Sequence, residues 1–307
     1  MLTLNIIGAG KLGRTLARLW HQQQVFTIGA LCNRTTASSK EARDFIGAGE
    51  AVKHITSMPP ADLWLIAVPD DDIEPTAIEL AATLTHLQQD RPQYRPIVFH
   101  CSGALPASVL AACAVAELAS AHPAHSFADP ERSLADFSGT TVALEGTEQA
   151  QEYLEKAFTM LGCHSIRLSP EQKVLYHTGS VMACNYLTVL LELSLQIFAA
   201  AGIERDTATR LLAPIVRQTA NNNFALGPQR ALTGPLVRGD VQTIERQLKA
   251  LDALPQQHLS QVYRLLGKSA LPLAETRLEP ATREKLQLLF ENPQPENPLP
   301  ASDTTCD

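Results

Sequence analysis

Apolar and polar positions alternate between two rhythms along this chain. Up to about residue 168, short apolar runs come and go with stretches of helical period. Leu2-Thr3-Leu4-Asn5-Ile6-Ile7 reads as a buried strand, and Leu12, Leu16 and Leu19 then recur at helical spacing. Val25 to Leu31 and Leu63-Trp64-Leu65-Ile66-Ala67-Val68 predict further strands, the second apolar throughout, as a central parallel strand is. Pro96 to Phe99, Glu117 to Ala121, Thr140 to Leu144 and His164 to Leu168 continue the series. Helices are expected over Ile73–Leu87, around Val109–Leu118 and over Glu148–Leu161. Strands alternating with helices predict a doubly wound, mainly parallel α/β sheet over residues 1–168.

The rhythm changes at Ser169-Pro170-Glu171, a helix cap followed by proline in the first turn. From there to about residue 290 the pattern is helical, which predicts an all-α second domain over 169–290. The stretch Val181 to Ile203 is apolar nearly all round, as in a helix buried at the centre of a bundle or dimer. Asn185, Glu192 and Gln196 interrupt it, which disfavours a membrane span. Gly202 is placed to end this helix, Asp206 opens another that runs to about Asn221, and Asp240 caps a third. A last helix begins near Pro280. The residues 291–307 carry several prolines and few apolar side chains, and are expected to be disordered.

The first strand and helix meet at Gly8-Ala9-Gly10-Lys11-Leu12-Gly13. Strand, Gly-x-Gly-x-x-Gly, helix is the opening of a dinucleotide-binding unit. Gly8 permits the tight turn, Gly10 admits a pyrophosphate close to the backbone, and Gly13 lets helix and strand pack closely. The helix N-terminus offers its free N–H groups and positive dipole end to the phosphates. The second strand ends in Asn33-Arg34-Thr35-Thr36-Ala37-Ser38. An NAD site carries an acid here to accept from the ribose 2′-hydroxyl. This chain has an arginine instead, suited to a 2′-phosphate, with Thr35 and Ser38 as further donors. The expected cofactor is therefore NADP. Thr35 and Ser38 equally suit a helix cap, and one residue can serve both ends.

With 307 residues the chain is long enough for two cores. Its 45% hydrophobic and 19% charged residues are ordinary for a soluble protein, and the net charge of −7 excludes a nucleic-acid surface as its main business. Six cysteines lack metal-type spacing, so neither a zinc site nor a disulfide framework is expected, and the opening residues do not read as a signal peptide. These features lead to an expectation of a cytoplasmic protein.

Candidate chemistry sits at the strand ends. Asp70-Asp71-Asp72 reads as the start of a helix rather than a metal site. Ser102, beside Gly103, reads either as a substrate hydrogen-bonding group or as a helix cap. Cys101 has no base beside it. His122 precedes Pro123 in a stiff polar turn and suits either a substrate oxygen or a structural role. Lys173 and His177 lie four residues apart on one helix face: a proton donor with its orienter, or a solvated lysine beside a core histidine. Arg238, in the Thr233–Asp240 loop, suits a substrate carboxylate.

Taken together, the Gly8–Gly13 turn, Asn33-Arg34-Thr35, Ala67-Val68-Pro69-Asp70, His100-Cys101-Ser102-Gly103, His122-Pro123, Ser126-Phe127, Tyr176-His177, Asn185 and the Thr233–Asp240 loop resemble the bacterial Rossmann-like proteins with a C-terminal DUF2520 domain. These are relatives of the 6-phosphogluconate, β-hydroxyacid, pyrroline-5-carboxylate and ketopantoate reductases. The resemblance covers the chain to about Leu289. It implies cofactor contacts from Gly8, Ala9, Gly10, Lys11, Leu12, Gly13, Asn33, Arg34, Thr35, Ser38, Val68, Pro69 and Cys101. It implies a catalytic set of Lys173, His177, His122 and Ser102, with Asn185, Thr233 and Arg238 toward the substrate. Lys173 matches the superfamily lysine, but His177 stands where its asparagine partner would be. The His-Pro turn is similar to one in prephenate dehydrogenases. The resemblance implies an NADPH-dependent oxidoreductase acting on a small anionic carbonyl, with 2-dehydropantoate the leading candidate. An imine, a deazaflavin of the F420 type, or a non-catalytic NADP-binding redox sensor are the alternatives. A homodimer is expected, with no nucleic-acid or membrane partner and no metal.

Overall fold

The computed structural model describes residues 1–291. It divides into two compact units, Met1–Asn185 and the residues from Tyr186 on.

The first unit is built on one eight-stranded sheet. Its strands are β1 (Leu2–Ile7), β2 (Phe26–Cys32), β3 (Glu50–Val52), β4 (Leu63–Ile66), β5 (Ile97–His100), β6 (Glu117–Pro123), β7 (Thr141–Gly146) and β8 (His164–Arg167). They lie in the order β3-β2-β1-β4-β5-β6-β7-β8. All neighbours are parallel except β6 and β7, which run antiparallel. Helices α1 (Lys11–Gln22), α2 (Thr36–Ile46), α3 (Asp70–Asp90), α4 (Pro130–Asp136), α5 (Glu148–Thr159) and α6 (Pro170–Ser180) complete the unit.

Period-two alternation explains why the central strands are apolar throughout. Leu63 and Leu65 of β4 join a core with α1 residues Leu16, Ala17 and Trp20 and α5 residues Leu154 and Phe158. Trp64 and Ile66 point the other way, into a second core with α3 residues Ile73, Ala77, Leu80 and Leu84. A strand covered on both faces has no position that tolerates a polar side chain cheaply. Trp20 anchors the first core edge-on to Phe26, Phe99 and Phe158, and its indole N–H donates to the Ala157 carbonyl at 3.3 Å.

In the second unit, α7 (Tyr186–Ala200), α8 (Arg205–Leu226), the short α9 (Pro228–Ala231), α10 (Val241–Asp252), α11 (Gln257–Ala274) and α12 (Pro280–Glu291) are all helical. Ile244, Leu248, Leu271, Leu286 and Phe290 form its core. Asp240 caps α10, accepting from the Thr243 N–H at 3.2 Å.

Several expectations are corrected. The helix expected around Val109–Leu118 is a single 3₁₀ turn, Ala107–Leu110, after which the chain enters β6. The strand β3 and helix α4 were not foreseen; a three-residue strand is too short to show periodicity, and α4 depends on its Asp129 cap. The helix expected to stop near Asn221 continues to Leu226. The expected division at 168/169 falls before α6, which in the structure is part of the first unit. Glu291 closes α12, and the rest of the expected disordered tail lies outside the described residues. The apolar run after Val181 is not buried in the single chain. Met182 is 60% exposed and Val189 52%, and none of the α7 residues is fully covered. Within its unit α7 packs on α8, which leaves most of an all-round apolar surface open. The helical run Pro170–Ala200 is long and apolar enough, by length and composition, to cross a membrane.

Candidate functional site

The glycine turn places its three glycines in three different predicaments. Gly8 has φ +87°, and a Cβ there would lie 2.7 Å from Val68 Cγ1 and 2.8 Å from the Ala67 carbonyl carbon. A Cβ on Gly13 would lie 2.8 Å from the Gly8 carbonyl oxygen. These two glycines are needed by the chain itself. A Cβ on Gly10 would meet nothing within 4 Å. Gly10 is the N-cap of α1, no side chain caps it, and the first turn carries no acid. The helix start therefore presents its dipole to open space, which is the geometry an anionic phosphate requires.

Neighbouring residues hold this turn. The Ala9 N–H donates to Asn33 Oδ1 at 2.6 Å, tying the turn to the end of β2. Lys11 Nζ donates to the Ala128 carbonyl at 2.7 Å. Thr35 caps α2 and exchanges hydrogen bonds with Ser38, so both hydroxyls are engaged locally. Arg34 is exposed and makes no ion pair among the described residues.

A second polar cluster lies beyond β5 and β6. Ser102 has every hydrogen-bonding atom occupied. Its N–H donates to His100 Nδ1 at 3.1 Å, and its hydroxyl donates to Asp70 Oδ2 at 2.7 Å while accepting from the N–H groups of Ala104 and Leu105. Its carbonyl accepts from Lys173 Nζ at 3.3 Å and from Ser120 Oγ at 3.2 Å. Lys173 Nζ also donates to Ser120 Oγ at 2.6 Å. Lys173 is wholly buried, with 0% exposure.

This arrangement corrects two roles. Ser102 caps its own turn and has no hydroxyl capacity left for a substrate. Lys173 is turned into the protein instead of toward a cleft, so it is not presented as a proton donor. Burial holds its ammonium below the usual lysine range, against the opposing pull of Glu145, Cys101 and Asp70.

The side chains that converge at the crevice end are two histidines and a tyrosine. His122 Nδ1 lies 3.0 Å from the Tyr176 hydroxyl. The His122 and His177 rings stand perpendicular, with centroids 5.5 Å apart. Both press on Gly103: a Cβ there would fall on His177 Nδ1 and 3.0 Å from His122 Nε2. Gly103 is therefore a close-approach glycine. His177 Nδ1 is buried without a hydrogen-bond partner, a position that costs free energy unless something else meets the ring. His122 is pushed down to about 4, first by burial and then by His177 and Lys173; Asp70 opposes. His100, buried and hydrogen-bonded to the Pro106 carbonyl, is likewise lowered to about 4 by burial, with Lys173 adding to the effect. Both imidazoles are neutral at pH 7.

The remaining expected residues are dispersed. Cys101 is buried and its thiol is pushed up to about 12 by burial, so it is not a nucleophile. Val68 and Pro69 sit where β4 gives way to α3, with Val68 against the glycine turn. Asn185 is exposed at the end of a π-helical turn, Val181–Asn185. Thr233 and Arg238 belong to the second unit and are exposed there. Sequence reasoning passed over Tyr176, Asp70 and Ser120 as site groups. The alternation of β6 was the available signal for Ser120: Ala119 and Ala121 face one core, so Ser120 must face the other.

Residues 1–120 match the model of a Rossmann-like domain, and residues 140–270 match that of a domain of unknown function, DUF2520. No curated protein matches the sequence. Among solved structures, a Thermotoga maritima protein is 24% identical with a TM-score of 0.68, covering 89% of this chain and 98% of that one. A Bacteroides fragilis protein assigned as an NADP oxidoreductase is 21% identical with a TM-score of 0.72, over the same shares. The 1-pyrroline-5-carboxylate reductase of Streptococcus pyogenes is 14% identical with a TM-score of 0.56, covering 94% and 98%. At these identities the likeness is one of fold. The chain thus carries a match to a Rossmann-like domain followed by a match to DUF2520, and the second begins inside the sheet, at the start of β7.

Proposed function

We propose that the protein is an NADPH-dependent oxidoreductase that reduces a small carbonyl or imine compound bearing a carboxylate. The observation that carries this reading is the open space over Gly10 at an uncapped helix N-terminus, with the His122 imidazole at the end of β6 in the same sheet and the His177 ring of α6 beside it. A protein that only sensed NADP would have no use for His122, His177 and Tyr176 gathered there.

The residues fit a dinucleotide. The turn from Gly8 to Gly13 would hold the pyrophosphate, Arg34 the 2′-phosphate, and the Val68-Pro69 segment would border the ribose side of the crevice. The bound cofactor supplies a hydride. Reduction leaves charge on the substrate oxygen or nitrogen, which needs a hydrogen-bond donor within reach. His122 and His177 take that role. When Tyr176 donates to His122 Nδ1, the His122 proton sits on Nε2, the nitrogen on the Gly103 side. 2-Dehydropantoate is the first substrate to test, and a cyclic imine the second, since pyrroline-5-carboxylate reductases share the fold.

Titration calorimetry with NADPH and NADH tests the cofactor. Losing one charge-assisted phosphate contact costs about 1.5–3 kcal/mol, or roughly ten- to a hundredfold in affinity. Arg34→Ala should weaken NADPH by that factor and leave NADH nearly unchanged. Equal losses for both would refute the assignment. NADPH oxidation against 2-oxo acids, cyclic imines and a deazaflavin then tests the reaction class. We further assign the open face of α7 to a homodimer contact, which accounts for apolar exposure that one chain leaves uncovered.

A further inference from the structure

Lys173 poses a physical problem. Its ammonium is fully buried, yet no carboxylate lies within ion-pair distance among the described residues. Its hydrogen-bond partners are neutral oxygens, Ser120 Oγ and the Ser102 carbonyl. Burying an unpaired charge costs several kcal/mol. A methionine would fill the same space without that cost. The charge must therefore act on something.

Its target is visible in the hydrogen bonds. Lys173 and Ser120 together fix the Ser102 carbonyl, and so the plane of the Ser102–Gly103 peptide. The Ser102 hydroxyl, bound to Asp70 and to the N–H groups of Ala104 and Leu105, clamps the same turn from its other side. Gly103, at the end of that peptide, is the surface on which His122 and His177 rest. His177 is also one helical turn beyond Lys173 on α6.

We propose that Lys173 is a positioning residue: it fixes the Ser102–Gly103 peptide that seats His122 and His177, and its charge reaches the reaction only through those imidazoles. The proposal rests on the oxidoreductase reading for its catalytic consequence, but its structural half can be tested without a substrate. His122 is faced by His177 and Tyr176 from α6, by Lys173 from the same helix, and by Asp70 from the start of α3. Lys173 is faced by Glu145 from β7, by Asp70, and by Cys101 after β5. Removing the ammonium takes away the lysine charge that helps to disfavour the His122 imidazolium.

The test is an NMR titration of the His122 ring protons in the full-length protein, with Lys173→Met, Lys173→Arg and Ser120→Ala beside the wild type. In Lys173→Met the His122 midpoint should rise by roughly half a unit to one unit, the size of a nearby charge in a partly buried site. Lys173→Arg should restore the lower midpoint, because it keeps the charge. Ser120→Ala removes the hydroxyl that links ammonium to carbonyl and keeps the ammonium. It should leave the midpoint within a few tenths and, on whichever substrate the screen identifies, lower kcat with unchanged KM for NADPH. A folded Lys173→Met protein with an unmoved His122 midpoint overturns the proposal. So does Ser120→Ala with wild-type kcat, or Lys173→Arg with restored titration and no kcat, since the lysine would then act on the substrate directly. If Lys173→Met does not fold, Lys173→Arg and Ser120→Ala still decide. Failure of NADPH to bind any of these proteins would count against the oxidoreductase reading alone.

Discussion

At the scale of single residues, the glycine turn separates what folding needs from what a ligand needs. Gly13 has no room for a Cβ, so Gly13→Ala must push α1 away from β1, at a cost of about 1–3 kcal/mol. Gly10 has room, and its φ of −71° suits alanine. Gly10→Ala should therefore melt within a degree or two of the wild type while losing at least tenfold in NADPH affinity. A thermal melt and a titration on the same sample check both halves. If Gly10→Ala binds NADPH normally, the phosphate does not lie over this turn. The turn was legible in the sequence because glycine spacing is a local property. The orientation of Lys173 was not. Helical spacing put Lys173 and His177 on one face, but four residues of helix also separate them by about 6 Å along its axis. One consequently ends under the strands and the other at their tips.

Elements carry a different kind of information. The two-sided burial of β4 was readable as an unbroken apolar run, and the Asp240 cap of α10 as a residue type in its place. The run after Val181 reads as a helix buried in a bundle or a dimer, because periodicity reports that a surface is apolar and not what covers it. In one chain it stays open, with Tyr186 56% and Val189 52% exposed. If a second copy covers this face, the wild type should be a dimer by light scattering at micromolar concentration. Val189→Glu, a charge set into the apolar face, should then shift it to monomer with its far-ultraviolet circular dichroism unchanged. A wild-type monomer at that concentration would remove the dimer assignment.

The whole molecule should show the cost of keeping His100 and His122 neutral. Each has an ordinary value of 6.5 and is lowered to about 4 in the folded protein. Between those values the unfolded chain binds more protons than the folded one, so stability rises with pH. The contribution is complete above about 6.5 and is lost as pH falls toward 4. Urea midpoints should therefore climb from pH 4.5 to 6.5, beyond what the carboxylates produce. His122→Asn should flatten part of that climb. An unaltered slope in this variant would mean that His122 is protonated in the folded state.

The antiparallel pairing of β7 with β6 has a consequence for how the site is measured out. Had β7 continued the parallel order, the chain would leave β8 at the crevice end and α6 would run away from it. Because β7 and β8 are reversed, the chain leaves β8 heading away from the crevice, and α6 turns back to bring His177 onto Gly103. Its first two turns act as a ruler laid from Pro170 to Gly103. Each residue added to that ruler lengthens it by about 1.5 Å and turns it by about 100°. One insertion before Lys173 would swing the lysine off Ser102 and lift the His177 ring from Gly103. The count from Pro170 to His177 is set by two contacts, Lys173 on the Ser102 carbonyl and His177 on Gly103.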